Sequence, residues 1–258
     1  METELTSGLE RDRMFKAEIK SDTLKGIVYI VSTLVDEVKF TIHPDSLSLK
    51  AIDPAHVAML DITVSKDAFE NYSADETEIG LDLDKVKSVL KLAGPGDSII
   101  LEHDPDQGRL TFRIGNITRR MSLVDTSSMN DPKVPQIELA TDVKVKIDHL
   151  KKGISAAESI SDHISLEADP EGFELACEGD TDLASLRLPA SDLEGLKSEG
   201  KVSSLYPLDY FSNIVKVIPA GTVVDIQLDN DYPVKILFAL ADGKADVVYF
   251  LAPRIESD

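Results

Sequence analysis

Tryptophan is missing from this chain, aromatic residues make up only 5% of it, and Cys177 is its single cysteine. A core without large rings has to be filled by Leu, Ile and Val, interdigitated closely. One cysteine excludes an intrachain disulfide and fits a reducing compartment. No apolar run approaches the roughly 18 residues of a membrane-spanning helix. The opening METELTSGLERDR lacks the apolar centre of a secretory signal. Positive charge is scarce as well: 27 Lys and Arg stand against 47 Asp and Glu, a formal net charge of −20. Taken alone, that argues against a nucleic-acid partner, because phosphate binding draws on Lys and Arg.

Signatures of chemistry are also lacking. His43, His56, His103, His149 and His163 show no HExxH spacing or close pairing, which speaks against zinc. GPGDS at Gly94 has no GxxxxGK[ST] context and reads as a helix stop. The acidic turns HDPDQG, EGDTD and DNDY lack the twelve-residue ligand spacing of a calcium loop. There is no GxSxG elbow. No cofactor, metal site or catalytic residue is expected.

What remains is a 258-residue chain, 42% hydrophobic and 29% charged, which suits a globular protein with a real core. MFKAEIK places Phe15, Ala17 and Ile19 on one face of a strand. Leu24, Ile27, Val28, Val31, Leu34 and Val35 then recur at helical spacing, with Ser21 or Asp22 available as a cap. Alternating strands follow: VKFTIH, LSLKAID and HVAMLDITVS. A second helix, DLDKVKSVLKLAG, is stopped by Gly94-Pro95-Gly96, and further strands lead to residue 125. Residues 126–141, TSSMNDPKVPQIELAT, break the pattern and read as an extended connector.

After the connector the same order returns at a shift of about 125 residues. Val38 matches Ile164, Phe40 matches Leu166, Leu47 matches Phe173 and Leu49 matches Leu175. Asp84 falls over Asp209, Lys91 over Lys216 and Gly96 over Gly221. So long a shift is a domain duplication, not a solenoid period. The expected class is α+β: two tandem similar domains of antiparallel sheets with two helices each. Residues 1–13 are expected to be a disordered extension or tag, 14–125 and 142–258 the two domains. Sheets covered on one face by helices leave edges to be paired, and head-to-tail pairing between identical chains closes a ring.

MFKAEIK at the start, LKAIDPAHVAMLDI, the proline-bearing connector and the closing VVYFLAPRIESD resemble the proliferating cell nuclear antigen (PCNA) sliding clamps, from Met14 to the end. The single cysteine points to an archaeal member. The resemblance implies a DNA clamp fold and a non-catalytic homotrimer, with sheets outside and twelve helices lining a hole for duplex DNA. It also implies opening by a clamp loader, and docking of DNA polymerase, flap endonuclease and DNA ligase through PCNA-interacting peptides. The location would be cytoplasmic and nucleoid-associated.

Matched to the family, Lys20, Lys25, Lys85, Lys87, Lys91, Lys152 and Lys216 would face DNA. Ile52, His56, Val57, Met129, Val134, Pro233, Tyr249, Ala252, Pro253 and Ile255 would line the peptide groove. Arg119, Arg120, Met121, Leu123, Leu183, Ser185 and Arg187 would stand at the trimer interface. Lysine on an exposed helix is ordinary in any protein, and Ile52, Val57 and Tyr249 read equally well as core. The charge objection has an answer: a closed ring cannot fall off, so weak, salt-sensitive phosphate contact suffices. A duplicated hydrolase and a clamp relative that assembles only as a heterotrimer are the rival readings.

Overall fold

The computed structural model describes residues 14–129 and 131–254; the expectations for residues 1–13 and for Ile255 lie outside the described residues. The first half runs β1 (Phe15–Lys20), α1 (Ser21–Val31), β2 (Glu37–Ile42), β3 (Ser46–Ile52), β4 (Ala58–Ser65), β5 (Asn71–Ala74), β6 (Thr77–Asp82), α2 (Leu83–Leu90), β7 (Ser98–Asp104), β8 (Arg109–Ile114) and β9 (Ile117–Ser122). The same order is then repeated: β10 (Thr141–Lys146), α3 (Ile147–Ala157), β11 (His163–Asp169), β12 (Gly172–Glu178), β13 (Leu183–Pro189), β14 (Gly195–Lys197), β15 (Val202–Pro207), α4 (Leu208–Val217), β16 (Val223–Leu228), β17 (Val234–Leu240) and β18 (Ala245–Leu251). In each half a short 3-10 turn separates the fourth and fifth strands.

These strands form three sheets, ordered β5-β1-β7-β8-β9, β14-β10-β16-β17-β18-β4-β3-β2-β6 and β13-β12-β11-β15. The nine-stranded sheet contains both halves. They meet where β18 pairs antiparallel with β4, with Val247 opposite Ile62, Tyr249 opposite Leu60 and Leu251 opposite Ala58. Strict alternation puts these six side chains in the core, which is mainly aliphatic with a few rings such as Phe112, Phe173, Phe211 and Tyr249. The helices cover one side of the sheets. α1 packs beside α2, α3 beside α4, and α1 meets α4, giving a row ordered α2-α1-α4-α3.

The first helix is shorter than its apolar stripe suggests. It stops at Val31, where the Ser32 N–H bonds to the Val28 carbonyl and the Thr33 hydroxyl donates to the Ile30 carbonyl, 2.7 Å away. Such local side-chain bonding competes with another helical turn; Leu34 remains buried without being helical.

Nor do Ser21 and Asp22 cap α1. Lys20 holds the cap position without a side-chain bond. The Ser21 hydroxyl donates to the Gly94 carbonyl (2.7 Å), and the Asp22 carboxylate accepts the Gly96 N–H (3.0 Å). Lys25 reaches the Ala93 carbonyl at 2.7 Å. The second half repeats the device: Asp148 accepts the Gly221 N–H at 2.8 Å, and Lys151 donates to the Ile218 carbonyl at 2.6 Å. Gly96 and Gly221 share a φ of 78°, a left-handed conformation that glycine adopts without strain. In each half, then, an Asp-x-x-Lys pair on one helix secures the end of its neighbour. The ammonium satisfies a late carbonyl and sits where the helix dipole favours a cation. Lys25→Met and Lys151→Met should each cost about 1 kcal/mol, seen as a lower thermal midpoint, with Lys25→Arg retaining most of it. An unchanged midpoint in both Met variants would show that the clamps carry no stability.

Candidate functional site

The helix row presents its outward face as a nearly neutral mixture. Lys20 is 2.8 Å from Glu70 and also donates to the Gly96 carbonyl and Ser98 hydroxyl. Lys85 pairs with Asp82 at 2.9 Å, Lys87 with Asp84 at 2.7 Å, and Lys216 with Glu158. Each pairing holds charge that a phosphate would otherwise meet. The Lys216 ammonium, with the Ser212 hydroxyl, keeps the Glu158 carboxyl below its ordinary range. Lys20, with Ser98, does the same for Glu70. Of the seven lysines expected here, Lys91 and Lys152 alone lack a side-chain hydrogen bond or ion pair among the described residues, and both are exposed.

The segment AIDPAHVAML forms a pinned loop between β3 and β4. Asp53 is 3% exposed. Its carboxylate accepts the N–H groups of Ala55, Val57 and Ala58 at 2.9, 2.7 and 2.7 Å, and the Tyr210 hydroxyl at 2.8 Å. One side chain thus shapes the loop and ties it to α4 of the other half. His56 is exposed, at a φ of 59°. The chain leaving β18 joins this loop through the Ala252 N–H and the Val57 carbonyl, 2.8 Å apart. Ile52, Val57, Met129, Val134, Pro233, Ala252 and Pro253 are all half-buried.

Tyr249 does not line this surface. It is 0% exposed on the core face of β18, its hydroxyl directed at the Tyr210 carbonyl. Strand alternation turns Phe250 outward instead, paired across the ladder with Met59. Neither belongs to the main core cluster, yet both are buried, so they make a covered apolar floor on the outer face. Lys235 stands 6.0 Å from the centre of the Phe250 ring. Sequence reasoning missed Met59 and Phe250. The available signal was VVYFL itself, in which both strand faces are apolar.

The connector reaches the outer face from the β6 edge. The Val124 N–H bonds to the Gly80 carbonyl at 2.9 Å, and a Cβ on Gly80 would lie 2.3 Å from the Val124 carbonyl oxygen. Only glycine permits that approach. The tail makes the corresponding crossing in the second half, where the Arg254 N–H bonds to the Leu205 carbonyl at 2.7 Å and the Arg254 guanidinium meets His163 Nε2.

β9 and β13 end their sheets with one side unpaired. Arg119, Arg120 and Ser185 are exposed there, and Leu183 is 64% exposed. Three residues expected at this edge are otherwise engaged. Met121 is buried in its own half and Leu123 packs against that core, since alternation turns them inward. Arg187 is bound to Asp169 at 2.8 Å and faces Glu174 at 3.6 Å within its own sheet. Ile117, 45% exposed on β9, was not foreseen.

Three comparisons bear on these surfaces. Residues 14–133 match the family model for the proliferating cell nuclear antigen N-terminal domain. The chain is 40% identical over 246 residues to a DNA polymerase sliding clamp of Methanocella arvoryzae, and 39% identical over 246 residues to one of Methanococcoides burtonii. Both alignments cover 95% of this chain and 100% of the relative. The fold matches A. fulgidus PCNA, solved with the C-terminal region of FEN-1 bound. The TM-score is 0.89 at 32% identity, covering 95% of this chain and 100% of that one.

Burial raises the Asp53 carboxyl, but the bonds from Ala58, Tyr210, Ala55 and Val57 outweigh it and hold the group below the ordinary range. A depressed carboxyl stabilises the fold above the unfolded aspartate value of about 4 and loses that stability as pH falls below it. Asp53→Asn should therefore cost about 2 kcal/mol at neutral pH and flatten the acid limb of a stability–pH curve. Parallel curves for both proteins would refute the assignment.

Proposed function

The chain belongs to the proliferating cell nuclear antigen family of sliding clamps, and from that membership we propose that three copies close head to tail into a ring that encircles duplex DNA. Residues 14–125 and 142–258 are its two clamp domains and 126–141 the connector. The ring tethers polymerase, flap endonuclease and ligase through short docking peptides, and a loader opens it. It acts on the chromosome in the cytoplasm and needs no catalytic group of its own.

One observation carries this reading: the seam inside the chain has an unused counterpart at its ends. β4 and β18 pair within the molecule, while their repeat equivalents, β13 and β9, are the unpaired edges. The ladders align Ile62 with Leu186, and Val247 and Tyr249 with Ile117 and Arg119. Carrying the internal register across puts Leu186 opposite Ile117 of the next copy, Ser185 opposite its Thr118 and Leu183 opposite its Arg120. β9 carries Arg119 and Arg120, while Arg187 of β13 is held by Asp169 and Glu174 and leaves Glu178 and Asp182 beside that edge, so the two edges are unlike in charge as well as shape. A heterologous contact of this kind either closes or runs on as a filament; closure after three copies is the family's geometry.

The helix row would then face the hole. Its paired lysines make contact with phosphate weak, which suits sliding, and the acidic remainder discourages DNA from wrapping the outside. The covered floor of Ile52, Met59 and Phe250, between connector and tail, takes the apolar residues of a docking peptide, and the tail supplies an edge for β-addition.

Two experiments test this. Thr118→Cys combined with Ser185→Cys should give a disulfide-linked trimer on mild oxidation. Either variant alone should stay a single chain, because Cys177 is buried. A monomer by light scattering, or no crosslink, would sink the ring; a trimer only after a second clamp chain is added would favour the heterotrimer. Phe250→Ala should weaken docking-peptide binding by about 2 kcal/mol, on top of the fold stability lost with a buried ring. Tyr249→Ala should instead destabilise the fold by about 3–5 kcal/mol.

A further inference from the structure

One ionic contact outside the surfaces assigned above lies beneath the connector. Lys39, on the outer face of β2, has a side chain only 10% exposed. Its ammonium is 3.1 Å from Glu78 of β6 and 3.2 Å from Asp131 of the connector. Burial pulls Lys39 down, but the bonds to Glu78 and Asp131 outweigh it and hold the group above the ordinary lysine range. It is therefore charged throughout the physiological range.

Its position matters because the connector has little else to hold it. Lys39 stands opposite Gly80 in the β2–β6 ladder, the point where Val124 is bonded. Beyond Val124, the bonds made by residues 125–129 are internal: Met129 N–H to the Thr126 carbonyl, and Ser127 to Asp125. Among the described residues, the Lys39–Asp131 pair is the only hydrogen bond or ion pair joining residues 125–140 to the rest of the chain. Val134, half-buried, follows three residues later, within a short tether of the point where Asp131 is held.

We propose that Lys39 is a positioning residue for the docking groove: by fixing Asp131 it sets the stance of the connector wall that an apolar docking peptide meets. This rests on the docking reading above. Released, the connector samples open positions, and the peptide must select the closed one, which lowers its apparent affinity. A second consequence follows. Because Asp131 is half in solvent, salt weakens the pair, so even an uncharged peptide should bind less well as salt rises.

The test uses the full-length ring and a fluorescent peptide that carries a PCNA-interacting motif and no charged side chain. Lys39→Met and Asp131→Asn should each weaken binding about tenfold, as if the closed connector fell to roughly a tenth of the population. The double variant should be no weaker than either single one, Lys39→Arg should stay near wild type, and the salt dependence should vanish in Lys39→Met. Hydrogen exchange should quicken at the two bonded connector amides, Ser127 and Met129, with trimer mass and thermal midpoint unchanged. Unchanged affinity and exchange in Lys39→Met, or additive losses in the double variant, would overturn the proposal. If the wild-type ring binds no peptide, the docking reading fails, but exchange at Ser127 and Met129 still decides the latch: faster in Lys39→Met upholds it, unchanged overturns it.

Discussion

The antiparallel pairing of β4 with β18 is the constraint on which the rest of the molecule depends. It joins the first half to the second through a continuous ladder of main-chain bonds, so two repeats become one nine-stranded sheet. It fixes α1 against α4 and completes the helix row, and it places the β3–β4 loop beside the tail. It also sets the pattern for the ends: whatever holds the two halves together inside the chain is available, in the equivalent strands, to hold one chain to the next.

Around that seam, much of the polar chemistry goes into securing junctions. Asp53 spends its carboxylate on three N–H groups and Tyr210, across the boundary between halves. The Lys25 and Lys151 ammonium groups donate to carbonyls at the ends of neighbouring helices. A chain with a net charge of −20 thus has fewer lysines free for phosphate than composition suggests. The outcome is a surface suited to loose contact, where the tether is topological and adhesion would hinder movement.

The architecture was largely legible in the sequence because its periods are clean. Phe15, Ala17 and Ile19 alternate as a half-buried strand must, Leu24 to Val31 follow a helix, and the match of Phe40 and Leu49 with Leu166 and Leu175 disclosed the repeat. The sites were legible only in part. Tyr249 and Phe250 are neighbours of similar character, and in a strand apolar on both faces the pattern does not say which one turns outward. Lys25 looked free because its acceptor, the Ala93 carbonyl, lies 68 residues away. The connector's course depends on a backbone bond to Gly80 and an ion pair to Lys39, neither of which leaves a periodic trace.

The unlikeness of the β9 and β13 edges has a directional consequence. A ring closed by joining one kind of edge to the other has rotational symmetry alone, with no axis that exchanges its two flat sides. Every copy in such a ring would carry its Met59–Phe250 surface in the same orientation relative to the ring axis. A duplex threaded through such a ring has a defined front and back relative to whatever is docked, so enzymes held there share one heading along the DNA.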